Sequence, residues 1–234
     1  MCIRDRLEGL FTKRLTLKAP EKGMWSFVWM SNIDATIDLT EKQLPTLLSG
    51  GILGASFAAM FKIARDVTDV LAKGARLLDD VLYPELVRLI VDSKISAALK
   101  LIVRSTLILL AVGFSLAAIV HIFGPGAFER LLTPELKGTS RITTQLMVSA
   151  TFFAAAAPLY PGLYALGEPG RATLVRGVTV VSMLILFFVL AKHFGPAGPG
   201  LAMIIANAGG FLLAAYVTLS RLRARRSAEE VIQP

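Results

Sequence analysis

The sequence contains a single cysteine and two histidines, and charged residues are scarce. Cys2 alone can form neither an internal disulfide nor a metal site built from cysteines, and we predict no bound metal. Charged residues make up 18% of the 234 residues, whereas hydrophobic residues make up 54%. Because soluble domains carry about 25% charged residues, this balance favours a chain that lies in lipid.

The common catalytic motifs are absent as well. The sequence has no G-x-x-x-x-G-K-[ST] phosphate loop, no H-E-x-x-H and no G-x-S-x-G. We therefore predict no catalytic residue, no cofactor and no enzyme activity. The net charge of +8 could indicate nucleic acid, but the basic residues lie mostly in short segments between apolar runs. Nucleic acid is therefore not predicted as a partner.

Long apolar runs dominate the second half of the chain. Four of them reach the roughly 20 residues that a helix needs to cross a bilayer: 101–123, 142–166, 172–191 and 197–220. Two further helices are predicted at 24–49, ending at Gly50-Gly51, and at 55–82, stopping near Pro84. Loops are then expected at 83–100, 124–141, 167–171 and 192–196. The sequence predicts an all-α integral membrane protein, a bundle of six transmembrane helices over residues 24–220.

Basic residues are distributed unevenly between the two sides that this order of helices defines. If the N-terminus is cytoplasmic, the outer segments hold only Lys42, Arg130, Lys137, Arg141 and Lys192. A bias of basic residues toward the cytoplasm is the usual sign of orientation. It predicts a cytoplasmic basic segment at 1–23, a cytoplasmic basic tail at 221–234 and both termini inside. The opening Met1 to Arg6 is unlike a natural start, and we expect the chain to be a fragment of a longer protein.

The second predicted helix carries its charges on one side. At about 100° per residue they fall within an arc of about 140°, which we name the charged stripe: Lys62, Arg65, Asp66, Asp69, Lys73, Arg76, Asp79 and Asp80. A charge at the middle of a bilayer costs about 2.5–3.5 kcal/mol, and pairing at i, i+4 offsets only part of that cost. We therefore expect the stripe to line a water-filled cavity. The alternative is an amphipathic helix in the membrane interface.

Three carboxylates share one face of the first predicted helix: Asp34, Asp38 and Glu41. Carboxylates inside a membrane are frequent relays for protons or ions, but these three could equally pair with Lys62, Arg65 or Lys73. Both interpretations stay open. Pro158 and Pro161 should kink the run 142–166, with or without a hinge role, and Gly209-Gly210 indicate close helix packing.

Four segments, in this order and spacing, resemble the C-terminal half of polysaccharide (oligosaccharide-lipid) flippases of the MOP exporter superfamily. They are ARLLDDVLYPELVRL at 75–89, FGPGAFERLLTPEL at 123–136, LYALGEPGRATLVR at 163–176 and FGPAGPGLAMIIA at 194–206. The resemblance covers roughly residues 24–222. It implies one lobe of a two-lobed transporter, whose N-terminal lobe is missing from this chain.

The resemblance also implies a function, the flipping of polyprenyl-diphosphate-linked oligosaccharide across a bacterial inner membrane for surface polysaccharide biosynthesis. Applied to this sequence, Lys62, Arg65, Lys73 and Arg76 would bind the anionic substrate. Ion coupling or charge pairing would fall to Asp34, Asp38, Glu41, Asp66 and Asp69. The alternatives are a lipid-linked peptidoglycan precursor flippase or a drug/cation antiporter of the same superfamily and, from other classes, a membrane glycosyltransferase or polymerase, or a scaffold.

Overall fold

The computed structural model describes residues 24–131 and 138–232, and within these ranges the chain is helical along nearly its whole length. The helices are α1 (Met24–Leu53), α2 (Ala55–Val91), α3 (Ile95–Leu131), α4 (Thr139–Ala156), α5 (Leu159–Ala165), α6 (Pro169–Phe194) and α7 (Gly198–Ile232). A 3₁₀ turn, Gly195–Ala197, joins α6 to α7. The described ranges contain no strand, which confirms the predicted all-α class.

The chain divides into two compact units, Met1–Asp38 and Leu39–Pro234. The first unit is described from residue 24 onward, as the N-terminal half of α1, where the Thr36 hydroxyl donates to the carbonyl of Asn32 at 2.8 Å. The second unit holds the rest of α1 and all later helices. All the packing described below lies within this second unit.

The predicted turn at Gly50-Gly51 is wrong. The helix continues through both glycines and ends at Leu53, and the chain turns at Gly54, whose φ of 92° favours glycine. The break is short, since Ala58 N–H already bonds to the carbonyl of Gly54 at 3.1 Å. Gly54 therefore separates α1 from α2 without an intervening loop.

The predicted end of the second helix near Pro84 is also wrong. A proline inside a helix removes one backbone hydrogen bond, but here Leu82, Leu86 and Ile90 are buried on either side of it and hold the helix to the core. The helix runs to Val91 and ends where Ser93 adopts a φ of 57°. Lys94 N–H then bonds to the carbonyl of Leu89 at 2.8 Å, as in a Schellman end. The predicted loop 83–100 is thus reduced to residues 92–94.

The helix α4 is the centre of the second unit, and it packs against α2, α3 and α7. Its buried residues are mostly small or hydroxylated, which lets neighbouring helices approach closely. The buried hydroxyls of Thr143 and Thr151 donate to the carbonyls one turn earlier, each at 2.8 Å. As predicted, the run breaks at Pro158, and α5 resumes at Leu159. Buried Thr218 of α7 donates to the carbonyl of Leu159 at 3.3 Å.

Three stretches are long and apolar enough to cross a membrane, Ile95–Phe128, Thr139–Ala165 and Pro169–Arg225, the last of which contains both α6 and α7. The apolar core of the middle stretch is 72% buried, against 22% and 28% for the other two. Large apolar side chains on α3, α6 and α7 therefore face outward, including Leu107, Ile122, Val181, Ile185 and Leu212. Such an apolar exterior is expected of a surface that faces lipid. The helices α1 and α2 do not meet this criterion, so six spans remain a prediction.

The glycine pair at 209–210 supports a direct test of this packing. A Cβ on Gly210 would lie 2.4–3.0 Å from the Thr179 side chain of α6, and that side chain is fixed by its bond to the carbonyl of Val175 at 2.9 Å. A Cβ on Gly209 would have no atom within 4 Å. Gly210→Ala should lower stability by about 1–3 kcal/mol through overpacking, whereas Gly209→Ala should leave stability unchanged or raise it by up to about 1 kcal/mol. Thermal unfolding of the purified protein measures both, and equal effects would contradict this α6–α7 interface.

Candidate functional site

The helix α2 has three distinct faces. A buried face packs into the core through Phe57, Phe61, Ala64, Leu71, Ala75, Leu82 and Leu86. The charged stripe lies beside it, and on the third face apolar side chains are exposed, including Val70, Leu77 and Val81. At about 100° per residue these faces follow one another around the helix. A single helix therefore has a buried face, an exposed charged face and an exposed apolar face.

Most of the described side chains of the charged stripe are exposed. Lys62 and Asp66 form an ion pair across one turn, and both are more than half exposed. Lys73 is exposed and Asp69 is half-buried. The side chains of Arg76, Asp79 and Asp80 lie outside the described residues, as do those of Asp34 and Asp38. The predicted substrate residues Lys62 and Lys73 thus share one open face of α2.

Among the described members of the stripe, Arg65 turns inward to another helix. Its side chain is half-buried, and Nη2 donates to the main-chain carbonyl of Glu41 at 2.9 Å, joining α2 to α1. The carboxylates of Asp69, Glu41 and Asp66 act electrostatically on its guanidinium. Among the described residues, buried Nη1 has no hydrogen-bond partner. Arg65 is therefore both a tie between two helices and a cation at the edge of the stripe.

Glu41 also reaches a narrow crevice that is lined by residues of α1, α4, α5, α6 and α7. The crevice is lined by Glu41, Tyr160, Arg176 and Asn207 among apolar neighbours. Buried Asn207 donates through Nδ2 to the Ser149 hydroxyl at 2.8 Å, which fixes α7 to α4. A carboxylate and a guanidinium thus line the same small space within the bundle.

Arg176, Tyr160 and Asn207 were not indicated as site residues by the sequence patterns. Arg176 does carry a signal, because it is a charged residue inside the apolar run 172–191, and charges at such positions are commonly functional. Tyr160 and Asn207 have no comparable signal. They line the same crevice as Glu41 only because the fold brings α5 and α7 to it.

A larger cleft opens where α4 breaks. It has a volume of about 580 Å³, and three tyrosines, Tyr83, Tyr160 and Tyr164, line it together with Arg176. The Arg176 Cζ lies 5.8 Å from the centre of the Tyr160 ring, a cation–π distance. Arg176 thus lies between this cleft and the crevice that contains Glu41. We name the larger cleft, which the three tyrosines and Arg176 line, the tyrosine cleft.

A second cleft of about 440 Å³ lies at the other end of α2 and α4. Its lining includes Phe57, Met60, Arg141 and Gln145, with Pro196 from the 3₁₀ turn. It has one cation but no tyrosine. The two clefts therefore differ in aromatic content, which makes Arg141 a useful control for Arg176.

An ion-pair network fixes the turn between α5 and α6. Glu168 Oε2 lies 3.0 Å from Arg171 Nε and 3.5 Å from Arg221 Nε on α7. These residues are partly exposed, so each pair contributes little alone. The network holds the short turn, with Gly167 at a φ of 78°, against α7 beside the tyrosine cleft.

Comparison with known proteins gives one informative match. The chain is 38% identical over 103 residues to the inner membrane protein YghQ of Escherichia coli (strain K12). The match covers 44% of this chain and 28% of YghQ. No family model matches the chain, and no solved structure matches it. The apolar helices and this similarity together support an all-α integral membrane protein.

Thiol labelling can test the three faces of α2. Cys2 is first replaced by serine, and single cysteines are then introduced. Those at Lys62 and Lys73 sample the charged face, and those at Val70 and Val81 sample the outward apolar face. Those at Ala64 and Leu71 sample the buried face. If the stripe lines a water-filled cavity, a membrane-impermeant maleimide in intact membranes should label the cysteines on the charged face. It should not label those on the apolar face, which lie in lipid, or those on the buried face, which lie in the core. Labelling of both exposed faces alike would instead indicate a helix outside the membrane.

Proposed function

We propose that this chain is one lobe of an inner-membrane transporter that flips polyprenyl-diphosphate-linked oligosaccharides toward the outer leaflet. The observation that carries the proposal is the exposed charged stripe on a helix whose other faces are apolar. Lys62 and Lys73 offer ammonium groups to a diphosphate, and Arg65 adds a guanidinium at the edge. A scaffold helix would gain nothing from charges whose desolvation is costly.

The match to an inner membrane protein supports the proposed location. The segment 75–89, one of those that resemble the flippases, contains the last three residues of the stripe and continues along α2 through Pro84 without a break in the helix. In this proposal both termini are cytoplasmic, and the missing N-terminal lobe supplies the opposite wall of the cavity. The lipid bilayer and the lipid-linked oligosaccharide are the partners, and no chemistry on the substrate is required.

The decisive experiment is genetic complementation. The complete gene that encodes this chain should restore surface polysaccharide to a strain that lacks its own flippase, measured by immunoblotting of the polysaccharide. Restored resistance to cationic drugs without polysaccharide would favour the antiporter alternative. Accumulation of unextended lipid-linked intermediates despite normal flipping would favour a polymerase.

The stripe should separate transport from stability. Lys62→Ala and Lys73→Ala remove exposed cations, so they should change stability by less than about 0.5 kcal/mol, whereas export should fall several-fold. Arg65→Ala also removes the bond to Glu41, and it should lower stability by about 1.5–3 kcal/mol. Export in the complemented strain and thermal unfolding of the same variants give the comparison. Unchanged export in the Lys62→Ala/Lys73→Ala double variant would contradict substrate binding by the stripe.

Glu41 is the described carboxylate that best fits the proposed ion coupling, because it lines the crevice with Arg176. Proton binding at Glu41 would weaken the attraction between the two groups and change the packing of α1 against α6. Glu41→Gln keeps the shape but removes the charge, so flipping in proteoliposomes should lose its response to an imposed pH gradient. Asp92→Asn, at the exposed turn between α2 and α3, is the control, because Asp92 belongs to neither the stripe nor the crevice. A response retained by Glu41→Gln would rule out this role.

A further inference from the structure

The tyrosine cleft is preformed by the fold. Small buried residues, Ala75 and Ala157, leave the hollow, while Pro84 and Pro161 stiffen its walls. Its volume of about 580 Å³ suits a ligand the size of one or two sugar rings. A site that exists before binding requires little ordering of the protein when the ligand arrives.

The lining combines two kinds of recognition group. Aromatic faces carry negative quadrupoles that attract the weakly positive C–H groups on one side of a pyranose ring, and tyrosine hydroxyls can bond to sugar hydroxyls. Arg176 offers a planar guanidinium with five N–H donors, which suits a phosphate. Because Tyr160 lies 5.8 Å from the Arg176 Cζ, the ring-binding and anion-binding groups are adjacent.

We infer that the tyrosine cleft binds a glycosyl phosphate, a pyranose ring carrying an anionic phosphate, as the head group of an amphiphile. The ring lies among Tyr83, Tyr160 and Tyr164, and the phosphate faces Arg176. None of the described lining residues belongs to the charged stripe. The site lies between the end of α2 and the start of α6, which is the predicted cytoplasmic side. The natural ligand follows from the proposed function, but binding itself requires no transport.

Binding of three matched decyl amphiphiles, and of one free sugar phosphate, tests the inference. The full chain in phosphatidylcholine nanodiscs is titrated calorimetrically with decyl glucosyl phosphate, decyl phosphate and decyl glucoside, and with free glucose 1-phosphate. Decyl glucosyl phosphate should bind at least about tenfold more tightly than decyl phosphate, which lacks the sugar, or decyl glucoside, which lacks the phosphate. A hydrogen bond to a charged group is worth about that much. Weaker binding of free glucose 1-phosphate than of decyl glucosyl phosphate would measure the contribution of the decyl chain. Equal binding of all three amphiphiles would mean that the cleft holds only the alkyl chain, and the inference would fall.

Variants locate the two halves of the ligand. Arg176→Gln should remove the preference for the glycosyl phosphate over decyl glucoside, and Arg176→Lys should retain part of it. Tyr164→Ala should remove the preference over decyl phosphate, whereas Tyr164→Phe should keep most of it. Arg141→Gln, in the second cleft, should bind like the unaltered chain.

Folding and function are separated within the same set. Arg176 also lines the Glu41 crevice, so thermal unfolding is measured for each variant. Tyr164 lines the tyrosine cleft and is not among the described residues of the crevice, so it provides the independent case. A Tyr164→Ala protein that unfolds normally and retains its preference overturns the inference. If complementation fails while the probe preferences hold, the proposed function falls and the glycosyl phosphate site stands.

Discussion

The close approach of helices to α4 is the interaction on which the other features of this protein depend. Lipid provides no hydrophobic drive for helices to associate, so contact area and internal hydrogen bonds must hold them together. Small residues on α4 allow that area, and its threonines satisfy their hydroxyls within the helix. The same close approach occurs between α6 and α7, where Gly210 lies against the Thr179 side chain. Without this tight centre, neither cleft would have fixed walls.

The break at Pro158 gives the tight centre a functional consequence. After the break α5 restarts at Leu159, and its Tyr160 and Tyr164 line the cleft together with Tyr83 of α2 and Arg176 of α6. The bond from Thr218 to the Leu159 carbonyl ties the restart to α7. The break is therefore part of the cleft wall, and its contact with α7 holds it in place.

Polar groups of α1, α2 and α6 gather around Glu41 in two ways. Arg65 turns inward to the Glu41 carbonyl, while Lys62 and Lys73 stay exposed. On the other side of Glu41, Arg176 lines the crevice and the tyrosine cleft together. In the proposed transporter, the stripe attracts an anionic substrate, the cleft recognises its head group, and Glu41 stands between them. This arrangement lets ion binding and substrate binding influence the same helices.

Sequence alone determined the all-α class, the apolar runs and the charged stripe, because each depends on local composition or on the 3.6-residue period. It also located the break at Pro158 and the start of the loop predicted at 167–171, although α6 already begins at Pro169. It misplaced the ends of α1 and α2, since Gly50, Gly51 and Pro84 break helices only where no tertiary contact opposes them. It gave no sign that Glu41, Tyr160, Arg176 and Asn207 converge. Only the packing of distant helices decided that, because no local rule relates residues so far apart in the chain.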